Sequence, residues 1–207
     1  MFQLGFVVDD LFEAATHWVR IFGVGPFHIM PRVRSSCRYR GRDASVDIHI
    51  GVAQAGPVQI ELIRDYTDGP SVFRDLHNLY DFTKSGFHQV STLTRDYDGK
   101  KAHYLGTGYE LACEFTTPGQ RVAFFDTTDH FGFFTEVVEE KGSFRANLSK
   151  ISRTCADWDG TDPIRILTRD GYRTPLPAEN RSSPGEGQFS IQPSNLLNLS
   201  SSRGHNE

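Results

Sequence analysis

From its second residue the chain alternates. Phe2, Leu4, Phe6 and Val8 fall on one side of a two-residue period and Gln3, Gly5 and Val7 on the other, which predicts a strand. Asp10 then stands where a helix N-cap belongs, and Glu13 three residues on completes a capping box. Leu11, Ala14, Ala15, Trp18, Ile21 and Phe22 recur at helical spacing, and Gly23 supplies the stop. Short strands are predicted over Pro26 to Met30, Ser45 to Gln54 and Pro57 to Ile63, the last two joined at Ala55-Gly56. A polar stretch follows, then a short helix with Phe73, Leu76 and Tyr80 on its buried stripe.

The pattern then restarts. Gly86 to Thr94 reads as a strand, Asp96 as a cap, Tyr97 to Leu105 as a helix stopped by Gly106, and Tyr109 to Phe115, Arg121 to Asp126 and Gly132 to Val138 as three strands. Strand-helix-strand-strand-strand therefore occurs twice, offset by roughly 80 residues, and a repeat of this kind outweighs any single local assignment. The expected fold is α+β: two tandem βαβββ modules, residues 1–68 and 84–140, sharing one cupped, mostly antiparallel sheet within a domain of 1–140. Residues 141–169 read as an extension packing on that domain. From 170 to 207 the chain is rich in Ser, Pro, Asn and Gly, too poor in apolar side chains to offset its ordering entropy, and it reads as a disordered tail.

Composition narrows the function. Apolar residues make up 38% of the chain, the mean hydropathy is −0.42 and the formal charge is −4 with no block of Lys or Arg. Nucleic acid is a poor partner for such a surface. No apolar run approaches the roughly 20 residues that span a bilayer, and the first residues lack the basic start of a signal peptide. Cytoplasm is the expected location. Cys37, Cys113 and Cys155 form no CxxC pair and are expected as reduced thiols.

Four polar residues stand on otherwise apolar strands: Gln3, Glu61, His88 and Glu136. Each alone has an ordinary explanation, as an exposed residue or a satisfied core histidine. Together they lie on the first and last strands of each module, and equivalent positions of a repeated unit meet about a pseudo-twofold axis. Mixed imidazole and oxygen donors suit zinc, nickel, cobalt, manganese or iron.

The chain resembles the vicinal oxygen chelate superfamily, which includes glyoxalase I, methylmalonyl-CoA epimerase, extradiol ring-cleaving dioxygenases and bleomycin-resistance proteins. The resemblance covers roughly residues 1–140. Its carriers are 4–10 (LGFVVDD), 22–27 (FGVGPF), 58–63 (VQIELI), Gly86-Phe87-His88 and 132–136 (GFFTE), with 158–163 (WDGTDP) similar to an extension of some glyoxalase-like members. It implies one divalent ion held by Gln3, Glu61, His88 and Glu136. Gln3 stands where the epimerases and dioxygenases usually carry histidine, which speaks against the two-histidine iron chemistry of an oxygenase.

The activity implied is a metal-dependent isomerase or lyase acting on a small carbonyl-containing substrate through an enolate-like intermediate. Glu136 or Glu61 would serve as base. His49, with Asp47 on the same strand face, is a further catalytic candidate pointing into the cup, and Phe27, Phe125, Phe133 and Phe134 are candidate walls. Arg32, Arg34, Arg38, Arg40 and Arg42 read as a solvated loop rather than a clamp for an anionic substrate. The other readings are an oxygenase of the same fold and a non-catalytic protein that sequesters a ligand. Dimers are common in the family, so a homodimer is among the assemblies the resemblance allows.

Overall fold

The structure is a computed structural model describing residues 1–80, 85–117, 119–176 and 179. The elements follow in the order β1 (Gln3–Val8), α1 (Leu11–Phe22), β2 (Phe27–Ile29), β3 (Val33–Tyr39), β4 (Arg42–Ala55), β5 (Val58–Asp65) and α2 (Val72–Tyr80). The second half runs β6 (Ser85–Thr94), α3 (Tyr97–Gly106), β7 (Glu110–Thr117), β8 (Gln120–Asp126), α4 (Thr128–Phe131) and β9 (Phe134–Glu139). Three elements close the chain: α5 (Gly142–Ala156), β10 (Ile164–Thr168) and β11 (Gly171–Arg173).

The local signals act where the residues put them. The Asp10 carboxylate accepts the Glu13 backbone N–H at 2.8 Å, and Gly23, in the left-handed region at φ 64°, ends α1 by donating to the Val19 carbonyl. The buried stripe of α1 is Leu11, Ala15 and Val19; Ile21 and Phe22, expected on it, are exposed. Phe73 and Leu76 of α2 are buried as expected, whereas the Tyr80 side chain lies outside the described residues.

The repeat gives each module the same wiring. The first strand pairs in parallel with the last, β1 with β5 and β6 with β9, and the remaining neighbours are antiparallel hairpins. β1 and β6 join the modules, β3 and β7 join them again on the far side, and β5 returns to β4. The cup therefore closes: β4-β3-β7-β8-β9-β6-β1-β5 form a ring of eight strands, with β2, β10 and β11 continuing the sheet beyond β4.

One strand of that ring, β3, was not expected. Its segment interrupts Val33, Cys37 and Tyr39 with Arg34, Ser35, Ser36 and Arg38, so only a weak alternation marks it. Arg32, Arg34, Arg38 and Arg42 are solvent-exposed as expected, though Arg34 and Arg38 stand on β3 and Arg42 opens β4 rather than lying in a loop. Arg32 and Arg34 pair with Asp47, Arg38 with Asp43, and the half-buried Arg40 with Asp75, Glu110 and Asp126. Cys37 and Cys113, distant in sequence, lie on the adjacent strands β3 and β7 as buried free thiols.

Inside the ring, α2 plugs one end with Phe73 and Leu76 against Phe115, Phe124 and Phe134. Outside it, α1 covers β4 and β5, and α3 covers β7, β8 and β9. In the segment after β9, α5 contacts β4. Ile164 of β10 is buried beside Phe27 and Ile29, and β10 pairs in parallel with β2. The ordered chain extends beyond residue 169, because β11 pairs with β10 and Arg173 bonds Glu179 at 2.8 Å. Of the expected tail, residues 177–178 and 180–207 lie outside the described residues. Among the described residues no helix is long and apolar enough to cross a membrane.

Candidate active site

The two modules meet at β1 and β6, and the antiparallel register there is centred on Leu4 opposite Val90. Gln3 faces Ser91 and Gly5 faces Gln89, so Gln3 and Gln89 are mates about the pseudo-twofold axis. The outer strands obey the same relation, with Gly5 beside Glu61 and Ser91 beside Glu136. Gln3, Glu61, Gln89 and Glu136 thus form the symmetric constellation, all on inward-facing positions and all buried.

Gln89, not His88, holds the fourth place. Between Phe87 and Gln89 the register shifts by one residue, leaving His88 as the bulged residue of β6. Its ring is buried in the aromatic plug, 5.4 Å from Phe73 and 5.1 Å from Phe134 between centroids. Nε2 lies 3.0 Å from the Val72 carbonyl, and Nδ1 meets the side chain of Gln89. The space that Gln89 occupies exists because residue 5 is glycine: a Cβ there would lie 2.3 Å from Gln89 Cδ.

Glu61 and Glu136 line a cavity of about 280 Å³ whose walls include Ile48, Ile63, Phe73, Phe115 and Phe124. Both also line a smaller chamber of about 90 Å³ with Gln3 and Gln59, and Phe144 and Asn147 of α5 border both spaces. Gln89 Nε2 donates to Glu61 at 3.1 Å and Ser91 Oγ donates to Glu136. Burial pushes the Glu61 carboxyl well above its usual range, the Glu136 charge pushes the same way, and the Gln89 bond opposes both. Burial also pushes Glu136 up to about 7, against the hydrogen bonds from Ser91 and Gln89.

The other expected residues lie elsewhere. Ile48 and Ile50 of β4 face the cavity, so His49 between them faces out toward α1, its ring 6.4 Å from Phe12. Asp47 faces out as well and accepts from Arg32 and Arg34. Phe27 packs beneath α1, Phe125 beneath α3, and Phe133 against Phe87; Phe134 is inside the ring but in the plug. The aromatic walls are Phe73, Phe115, Phe124 and Phe144.

A resident metal was the expected cofactor, and the donor set can be compared with that expectation. Among the described residues no group of three His, Cys, Asp or Glu side chains converges. Two carboxylates and two amides remain, an all-oxygen set of the kind hard cations take. Gln89 spends both amide atoms on neighbours, Nε2 on Glu61 and Oε1 on His88 Nδ1, and Gln3 Nε2 donates to Gln59 at 2.9 Å. As arranged, these residues do not fit a resident divalent ion.

The model of the glyoxalase/bleomycin resistance protein/dioxygenase superfamily matches residues 2–124 of the chain, well over half of its length. The chain belongs to that superfamily. No curated protein matches it. Similar solved structures include a hypothetical protein from Bacillus halodurans, 14% identical with a TM-score of 0.48, covering 68% of this chain and 94% of that one. Methylmalonyl-CoA epimerase from Mycobacterium tuberculosis is 18% identical with a TM-score of 0.44, covering 70% and 90%. A Streptomyces coelicolor methylmalonyl-CoA epimerase variant in complex with 2-nitronate-propionyl-CoA is 15% identical with a TM-score of 0.44, covering 69% and 97%. The superfamily match spans β1, β5 and β6, which carry Gln3, Glu61 and Gln89; β9 with Glu136 follows it.

Proposed function

We propose that this chain is an isomerase or lyase that moves a proton on a small carbonyl-containing substrate through an enolate-like intermediate, with Glu61 and Glu136 as its acid–base pair. The observation that carries this reading is the pair itself: two carboxyls buried in one largely apolar cavity, one of them raised to about 7. Like charges so placed resist ionising together, and a carboxyl titrating near neutrality is matched to proton transfer at physiological pH.

The pair holds one proton. In this reading Glu61 is the acid and Glu136 the base, the Glu136 charge being one of the causes that raise Glu61. Glu136 takes the hydrogen from the carbon next to the substrate carbonyl. The C–H electron pair moves into the new C=C bond as the C=O π pair moves to oxygen, which receives the Glu61 proton. For an epimerisation the O–H proton returns to Glu61 and is delivered to the other face of the carbon as C=O reforms, leaving the pair's proton on Glu136. For an isomerisation Glu136 gives its proton back one atom along while the O–H proton returns to Glu61. In a lyase the O–H proton instead returns to Glu61 as C=O reforms and the C=C pair shifts to expel the leaving group from the next carbon, which departs with the Glu136 proton. Ser91 and Gln89 hold the two carboxyl groups by donating to them. The largely apolar walls strengthen these contacts. No step is assigned to a metal.

The test uses 2-tetralone as a model ketone in deuterated water, followed by proton NMR. Deuterium is expected at the activated C–H position at a rate above buffer, retained after dialysis against a chelator and lost in Glu136→Gln. Exchange that needs an added divalent ion would restore the metal-dependent reading. Binding of ketones without exchange of any tried would favour a sequestering protein.

A further inference from the structure

The pseudo-twofold that organises the site is broken at one position. Gln59 stands beside Gln3 on β5, and its mate on β9, beside Gln89, is Phe134. One module therefore closes its end of the ring with an aromatic ring, while the other puts an amide there. Gln59 is 2% exposed, its Oε1 accepts from Gln3, and its Nε2 is buried with no partner among the described residues. A buried N–H without an acceptor costs free energy unless something fills its place, and Gln59 is among the residues lining the small chamber that also holds Glu61 and Glu136.

The cavity's charge is equally one-sided. Among the described residues lining both chambers there is no Lys, Arg or His, and the only ionisable groups are the two glutamates. The nearby arginines on β3 and before it, Arg32 and Arg34, are held by Asp47. A carboxylate or phosphate entering this space would meet two acidic groups and no counter-charge. An apolar body would meet Ile48, Ile63, Phe115 and Phe124, with Phe144 of α5 over it.

We propose that the two chambers take an uncharged, mainly apolar carbonyl compound, its oxygen accepting a hydrogen bond from Gln59 Nε2 in the small chamber and its ring system filling the large one. Gln59 is then a specificity-determining residue that no part of the proton transfer requires. The proposal rests on reading the cavity as the substrate site, and it is independent of whether Glu136 removes a proton.

Calorimetric titration of the full chain with three matched probes tests it: 2-tetralone, tetralin, which lacks the oxygen, and a 2-tetralone bearing a ring carboxylate. The ketone is expected to bind about tenfold tighter than the hydrocarbon, the net worth of one buried hydrogen bond. The carboxylate should bind at least tenfold weaker than the ketone. Gln59→Leu should erase the ketone's advantage and leave tetralin binding unchanged, with circular dichroism confirming the fold. Should Gln59→Leu not fold, the neutral-to-anionic ratio on the unaltered chain still decides the charge selectivity, and Gln59→Met repeats the comparison. Equal binding of ketone and carboxylate, an unchanged ratio in the folded variant, or no binding of any probe would overturn the proposal. Ketone binding without deuterium exchange would leave it standing while sinking the proton-transfer reading. Exchange on the carboxylated ketone at the rate of the neutral one would do the reverse.

Discussion

Glu136 gives the site a measurable pH signature. A carboxyl raised from its ordinary 4.5 to about 7 keeps its proton after the unfolded chain has lost its own. The folded state therefore binds more protons across that window, and stability falls as pH rises through it. The full effect, present below the lower value and lost above the upper, is on the order of 3 kcal/mol. Glu136→Gln should remove most of this slope, and part of the Glu61 contribution with it, because the Glu136 charge is one cause of the Glu61 shift. Urea unfolding at pH 5 and pH 8 is the measurement; a variant as pH-sensitive as its parent would contradict the buried pair. The neighbouring prediction concerns space. Gln89 is fully buried and fills the volume a residue-5 side chain would need. Gly5→Ala should cost roughly 1–3 kcal/mol by overpacking, and adding Gln89→Ala should recover much of it; additive losses would show that the two do not compete. Sequence pattern identified Gln3, Glu61 and Glu136 as inward residues but chose His88 over Gln89. A single bulge separates the two, and one residue of slip changes a side chain's environment entirely. The usable signal was the repeat: Gln3-Leu4-Gly5 and Gln89-Val90-Ser91 share an amide, an aliphatic and a small residue in order.

Among the elements, β3 shows where periodicity fails. Its outer face is Arg34, Ser36 and Arg38, and its inner face breaks Val33, Cys37 and Tyr39 with Ser35, so the alternation of apolar residues announces it only weakly. Yet β3 closes the ring. Directly after it, Arg40 adopts φ 44°, and its guanidinium reaches Asp75 of α2 at 2.9 Å, Glu110 of β7 at 2.9 Å and Asp126 of β8 at 2.8 Å. One cation thus ties the plug helix to both strands of the hairpin. Arg40→Met leaves Asp75 and Asp126, both largely covered, without their counter-ion. With the guanidinium itself about one-third exposed, solvent softens the loss. We expect roughly 1–2 kcal/mol of destabilisation, with Arg40→Lys recovering little because a single ammonium cannot fork to three carboxylates. Chemical denaturation of the three proteins checks this, and a Lys variant as stable as the parent would refute the bridging role.

For the whole molecule, the duplication was legible because it imposed one pattern twice, and the closure of the ring was not, because it depends on contacts between β3 and β7 some 75 positions apart. The boundary of the ordered extension was also misjudged: β11 is short and exposed, so nothing apolar marks it. This sets up the final expectation. Residues 180–207 contain only five apolar side chains, Phe189, Ile191, Leu196, Leu197 and Leu199. The segment lacks core-forming periodicity, so a chain ending at Glu179 should melt where the full chain does. A chain ending at Glu140 should behave very differently. It loses α5, whose Phe144 and Asn147 border both chambers and whose Ile151 is 6% exposed, and it loses β10, whose Ile164 is packed against Phe27 and Ile29. It also bares the edge of β2 that β10 covers. Removing two buried aliphatic anchors alone costs about 4 kcal/mol or more, a large part of a domain's usual 5–15 kcal/mol. The shorter chain is therefore expected to be marginally folded or aggregated and to lose 2-tetralone binding, while the longer one keeps both. Calorimetric melting of the two truncations gives the answer. If the chain ending at Glu140 melted like the full protein, the extension would be an ornament on the ring; if the chain ending at Glu179 did not, the last residues would have a docking site on the body.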